Sequence, residues 1–127
     1  MFGKPIEKIS GMSLRQMILN QKTNFQIIDV RDDDFSIGKI FGSKNFPSID
    51  FDEKLEDLTK FLLKNEKKQL IFHCYYSQAR GPRCAQTFQE FVDDKYPNNK
   101  FQIFVLEGGW CNFYEKFGDD KKLIEKI

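Results

Sequence analysis

Residues 70–85 read LIFHCYYSQARGPRCA. The apolar run from Gln69 to His73 has the composition of a strand buried on both faces of a sheet. Cys74 follows at once. Five residues separate it from Arg80, which opens a segment whose apolar stripe, Cys84, Phe88, Phe91 and Val92, predicts a helix to about Asp94. Strand, short loop and helix in this order make the repeating unit of a sheet with parallel strands.

The flanking sequence repeats that alternation. Pro5–Ile9 (PIEKI) predicts a short strand, and Ser13 the cap of a brief helix, LRQMILN, with Leu14, Met17 and Ile18 on one face. Phe25–Val30 (FQIIDV) is a second strand of the buried type. An acidic turn, Asp32–Asp34, leads into a loop, GKIFGSKNFP, punctuated by Gly38, Gly42 and Pro47. Leu55, Leu58 and Leu62 predict an amphipathic helix from about Asp52 to Asn65. After the turn YPNNK, Phe101–Leu106 (FQIFVL) is a third clear strand. The Gly108–Gly109 turn then feeds a short helix, and the tail KKLIEKI predicts one more. The fold class is therefore α/β, with a mostly parallel sheet covered by helices on both faces and 14 phenylalanines as its core.

Size and charge exclude other classes. At 127 residues and 15.0 kDa, with 40% hydrophobic and 31% charged residues, residues 1–127 are expected to form one globular domain. A net charge of +1 gives no global field to attract nucleic acid or anionic lipid. No apolar run approaches a membrane span, and MFGKPIEKIS has no apolar signal core. Three cysteines without a Cys-x-x-Cys pair make neither a disulfide framework nor a zinc site. The expectation is a monomer of the cytoplasm or nucleus, with no nucleic-acid or membrane partner and no metal.

The chemistry concentrates where the second buried strand ends. Ligands of α/β sheets bind at the carboxyl ends of strands, which is where Cys74 emerges. The loop Tyr75, Tyr76, Ser77, Gln78, Ala79 closes onto a helix N-terminus, whose N–H groups lack intrahelical acceptors and whose dipole favours an anion. Arg80 adds a planar fork suited to two oxygens of a tetrahedral oxyanion. The same field favours the Cys74 thiolate over the thiol, as a nucleophile requires at neutral pH. From the residues alone, Cys74 is either such a nucleophile or a small buried hydrophobe at a strand end.

HCYYSQARGPRCA resembles the signature loop of the dual-specificity M-phase inducer phosphatases, His-Cys-(five residues)-Arg-Gly-Pro, and of small single-domain relatives that include eukaryotic arsenate reductases. These belong to the rhodanese-fold superfamily. Three further stretches are similar to the family: IIDVR at 27–31, the series Gly38, Ile40, Gly42, Asn45, Pro47, and VLEGGW at 105–110. The resemblance spans roughly residues 5–118. It implies a rhodanese-like, five-stranded sheet, Cys74 and Arg80 as catalytic residues, and Tyr75–Ala79 as the oxyanion-binding loop. Sulfur-transferring members usually have a loop one residue shorter, so the longer loop points to the phosphatase and arsenate reductase branches.

Two departures bear on function. Mitotic members place Glu just before the loop Arg and a second Cys in the Asp-Cys-Arg strand; here these are Ala79 and Val30. The sequence also lacks their long N-terminal region, so the expectation is a small stand-alone enzyme without a cell-cycle role. It is read as a cysteine-dependent phosphatase acting on a phosphorylated protein through a phosphocysteine, with no cofactor. The alternatives are an arsenate reductase using a small oxyanion substrate and an external thiol such as glutathione, and an inactive domain that binds phosphorylated ligands.

The remaining polar residues have lesser readings. His73, the only histidine, orients the loop from the face opposite Cys74. Asp29 satisfies backbone donors, and Arg31 with Asp34 forms a structural pair. Ser77 is a donor to the departing thiolate, Tyr75 and Tyr76 flank substrate or pack, and Arg83 is a second anion contact or a solvated residue. Cys84 is core, Cys111 a weak candidate redox partner, and Glu107 the one carboxylate considered as a remote general acid.

Overall fold

The computed structural model describes residues 5–127. In chain order it contains β1 (Glu7–Ile9), α1 (Gly11–Leu19), β2 (Phe25–Asp29), β3 (Gly38–Ile40), β4 (Lys44–Asn45), a 3-10 segment (Ser48–Lys54), α2 (Leu55–Lys64), β5 (Gln69–His73), α3 (Arg80–Lys95), β6 (Gln102–Leu106), α4 (Gly109–Phe117) and β7 (Ile124–Lys126). Five strands form one sheet in the order β1-β6-β5-β2-β4, parallel throughout.

Strand alternation divides the core into two layers. Leu70, Phe72, Ile28, Ile103 and Val105 face α2 and α3, where they meet Leu58, Leu62, Cys84, Phe88 and Val92. Ile27, Ile71 and Leu106 face α1 and α4, meeting Leu14, Trp110 and Phe113. On the first face the aromatic rings run in sequence, Phe51–Phe72–Phe88–Phe101, with centroids 6.0, 6.0 and 5.7 Å apart. Central β5 is buried on both faces, so its carboxyl end is held rigidly where the loop begins.

Four local expectations are corrected. Ser10, not Ser13, caps α1: its side chain accepts the Ser13 N–H at 3.0 Å, and Ser13 lies inside the helix. The 38–47 loop contains β3 and β4, the latter extending the main sheet beside β2. A 3-10 segment precedes α2, kinked at Asp50, which delays the helix start to Leu55. The tail is not a helix. Ile124–Lys126 pairs antiparallel with Gly38–Ile40, with Ile124 opposite Ile40 and Leu123 buried in the α1/α4 layer. Local spacing there permits a helix, but pairing with β3 satisfies backbone groups and buries Leu123 together.

Candidate active site

The loop between β5 and α3 takes its shape from its neighbours. Ser77 adopts a left-handed φ of 56°, which turns the chain back toward the helix. Pro82 lies in the first turn of α3, where its missing N–H costs no helical bond. At the start of α4 the N–H groups of Trp110 and Cys111 donate to the carbonyls of Cys74 (3.0 Å) and Tyr75 (2.8 Å). With those carbonyls engaged, the N–H groups of Tyr75–Ala79 are left with no protein acceptor among the described residues. Cys74 is buried, and the Gly81 N–H donates to its Sγ at 3.2 Å. Unclaimed donors, a helix start and a sulfur that already accepts an N–H together suit a tetrahedral anion set against a nucleophilic thiolate.

Arg80 is held from one side by the acidic turn. Its Nη1 donates to Asp32 Oδ2 (3.2 Å) and Asp34 Oδ1 (2.9 Å), and its Nη2 to Asp34 Oδ2 (2.6 Å). This corrects the expected Arg31–Asp34 pair. The hydrogen bond from Arg80 brings the Asp34 carboxyl down to about 2, against the opposing effect of burial. Burial pushes the Asp32 carboxyl up, but Ser48 Oγ (2.6 Å), the Ile49 N–H (2.9 Å) and Arg80 together hold it below the usual carboxylate range. Both are therefore ionised at neutral pH.

Arg31 instead lies buried behind the site. Its Nε and Nη2 donate to Asp29 at 2.7–3.1 Å, Nη2 also donates to the Gly38 carbonyl at 2.9 Å, and its guanidinium sits 4.4 Å from the Trp110 ring centroid and 4.9 Å from that of Phe35. Asp29 also accepts the Arg31 backbone N–H at 3.0 Å. Next to it, His73 Nδ1 lies 3.1 Å from the Cys74 carbonyl and Nε2 3.8 Å from Asp29 Oδ2. A carbonyl only accepts, so Nδ1 carries the proton. Burial pushes the imidazole down, against the pull of Asp29, and keeps it neutral. His73 thus tethers the loop from the face opposite Cys74, as the alternation along β5 predicts.

The other candidates are dispersed. Tyr75 packs against the α1/α4 layer, whereas Tyr76 is exposed beside it, the two rings edge to face at 4.8 Å. Ser77 Oγ is buried without a hydrogen-bond partner among the described residues, and Gln78 and Ala79 are exposed. Arg83 Nη2 lies 3.5 Å from the Ser48 carbonyl and shares an open groove with Asp32, Asp33, Ile49 and Asp52. Cys84 is core, its thiol pushed up to about 11 mainly by burial, and Cys111 is half-buried at the start of α4. Glu107 is exposed and has no side-chain hydrogen bond or ion pair with a described residue. Sequence reasoning missed Asp32 and Asp34 as partners of Arg80. Their signal is topological: they follow β2, the parallel neighbour of β5, so both loops leave the same edge of the sheet.

A family model of the rhodanese-like domain matches residues 13–116. The chain belongs to the rhodanese-like family. Within it, the chain is 31% identical to the dual specificity phosphatase ibp1 of Schizosaccharomyces pombe, over 92% of this chain and 94% of that one. The structure of the As-Sb reductase from Leishmania major is similar at a TM-score of 0.81 and 31% identity, covering 92% of this chain and 82% of that one. A yeast protein tyrosine phosphatase of the rhodanese family superposes at a TM-score of 0.87, covering 96% and 93% of the two chains. At 24% identity that likeness speaks to the fold. Rhodanese-like relatives of this chain thus carry the names of phosphatases and of arsenate reductases alike.

Proposed function

We propose that this protein is a cysteine-dependent phosphatase acting through a phosphocysteine on Cys74. The observation that carries the reading is the Gly81 N–H on Cys74 Sγ, at the base of a loop whose N–H groups are unclaimed. The thiolate attacks phosphorus, a sulfur–phosphorus bond forms and the bond to the leaving oxygen breaks. Water then attacks phosphorus, releasing phosphate and restoring the thiolate. Tyr75–Ala79 and Arg80 hold the equatorial oxygens and stabilise the charge that grows on them. A phosphorylated protein is the expected substrate class.

A second reading has its own support. Among the carboxylates around Arg80, Asp32 and Asp34 are held ionised, which leaves no acid there to protonate an alkoxide leaving group. Arsenate reduction needs no such leaving group. Cys74 would attack arsenic with loss of water, and two equivalents of thiol, such as glutathione, would supply the two electrons that take As(V) to As(III), ending as disulfide. Parallel assays of p-nitrophenyl phosphate, and of arsenate with glutathione, separate the readings, each repeated with Cys74→Ser. Turnover of the aryl phosphate lost in the variant supports the phosphatase, and turnover of arsenate alone supports the reductase. Phosphate binding without either turnover would leave a ligand-binding domain.

A further inference from the structure

The two arginines near the site use opposite edges of the guanidinium. Arg31 presents its side-on edge, Nε and Nη2, to Asp29. Arg80 instead meets Asp34 end-on, with Nη1 and Nη2, and Nη1 makes a further bond to Asp32. A guanidinium has five N–H donors: one on Nε and two on each Nη. Asp32 and Asp34 occupy both on Nη1 and one on Nη2. What remains is the Nε–H and the second Nη2–H, two parallel donors on the side-on edge, with no protein acceptor among the described residues.

We infer that Asp34, with Asp32, is the positioning residue of the oxyanion site: it fixes the Arg80 guanidinium so that the side-on fork is the edge offered to substrate. The inference rests on the reading of the Cys74 loop as an oxyanion site. Asp32 is itself anchored, its carboxylate accepting Ser48 Oγ and the Ile49 N–H, so the acidic turn is braced against the 3-10 segment and is not free to follow Arg80. The Asp32 N–H donates to Asp34 Oδ1 at 2.9 Å, which orients the second carboxylate from within the turn. A long side chain that is about a third exposed would otherwise sample several rotamers.

Electrostatics and positioning predict opposite signs here, which makes the inference testable. If Asp34 were only a nearby negative charge, removing it would strengthen the binding of an anion. If it positions the fork, removing it weakens binding in spite of the charge. The experiment measures inorganic phosphate binding by calorimetry to the full chain carrying Cys74→Ser, with and without Asp34→Asn, and with Arg80→Ala alone and combined with Asp34→Asn. Positioning predicts about a tenfold weakening by Asp34→Asn, partial recovery in Asp34→Glu, and no further loss when Arg80 is already Ala. Unchanged or tighter binding in Asp34→Asn overturns the inference, as does an equal loss in the Arg80→Ala background. So does a Cys74→Ser chain that binds no phosphate. Should the wild type turn over neither aryl phosphate nor arsenate while the binding pattern holds, the enzymatic reading falls and the role of Asp34 stands.

Discussion

The Trp110 N–H donates to the Cys74 carbonyl across 3.0 Å, so the start of α4 holds the loop that carries Cys74. Gly109 makes this approach possible. A Cβ there would lie 2.6 Å from the Cys74 carbonyl oxygen, 2.7 Å from that of Tyr75 and 2.8 Å from the Ser77 nitrogen, on a backbone with φ of 59°. Gly109→Ala is expected to cost on the order of 1–3 kcal/mol of stability and to displace the loop. Urea unfolding and phosphate binding check both effects, and a fully stable variant that binds phosphate normally would contradict the tether.

Cys74→Ser should abolish turnover while leaving phosphate binding largely intact, because serine keeps the loop but supplies no thiolate. Alkylation gives an independent check. Cys84 is fully buried, with its thiol pushed up to about 11, and should stay unmodified by iodoacetamide at neutral pH while the folded protein loses activity. Mass spectrometry that found Cys84 labelled as fast as Cys74 would remove the distinction between them.

Arg80→Lys is expected to lower kcat/KM by ~10²-fold or more, about 2.7 kcal/mol of transition-state stabilisation. An ammonium cannot meet the acidic turn with one edge and two equatorial oxygens with the other. Wild-type kinetics in this variant would assign anion binding to the backbone donors alone.

His73 makes stability depend on pH. Burial lowers the folded imidazole below the value of about 6.5 that it has in the unfolded chain. The unfolded state therefore takes up a proton first as pH falls. Stability is full above pH ~6.5 and declines below it, with a slope of at most about 1.4 kcal/mol per pH unit from this group. Urea midpoints measured between pH 7.5 and 5.5 should fall, and in His73→Asn, which keeps a donor near the Nδ1 position, the slope should flatten. An equal slope in the variant would place the titrating group elsewhere.

Asp32 and Asp34 are ionised and Ala79 stands at the loop end, so none of these neutralises a departing alkoxide, a contribution worth typically ~10²–10⁴-fold. Rates on substituted phenyl phosphates should fall steeply as the leaving phenol becomes less acidic, equally in the wild type and in Glu107→Gln. A flat dependence in the wild type that turns steep in Glu107→Gln would identify Glu107 as the acid.

How far the sequence is legible depends on the range of the interactions. Gln69–His73 can be read to the residue because its side chains feed both core layers, leaving one solution for a continuous apolar run. The loop is legible because its chemistry is contiguous, from Cys74 to Arg80. The tail is not. Its strand depends on pairing with β3, where a Cβ on Gly38 would lie 3.0 Å from the Glu125 carbonyl oxygen, a contact 87 positions away. The partners of Arg80 are also remote in sequence, 46 and 48 positions back, and local charge pattern suggests Arg31–Asp34 instead. Only the register of β2 against β5 brings the acidic turn to Arg80.

The pairing of β7 with β3 gives Ile124–Lys126 an influence their sequence position conceals. Gly38 pairs with Lys126 and, through its carbonyl, with Arg31; the segment between Arg31 and Gly38 carries the carboxylates that grip Arg80. In a scan of every substitution scored by activity, Leu123 and Ile124 would therefore group with the acidic turn and not with the exposed tips. A chain cut just before Leu123 would lose activity before the five-stranded sheet itself came apart.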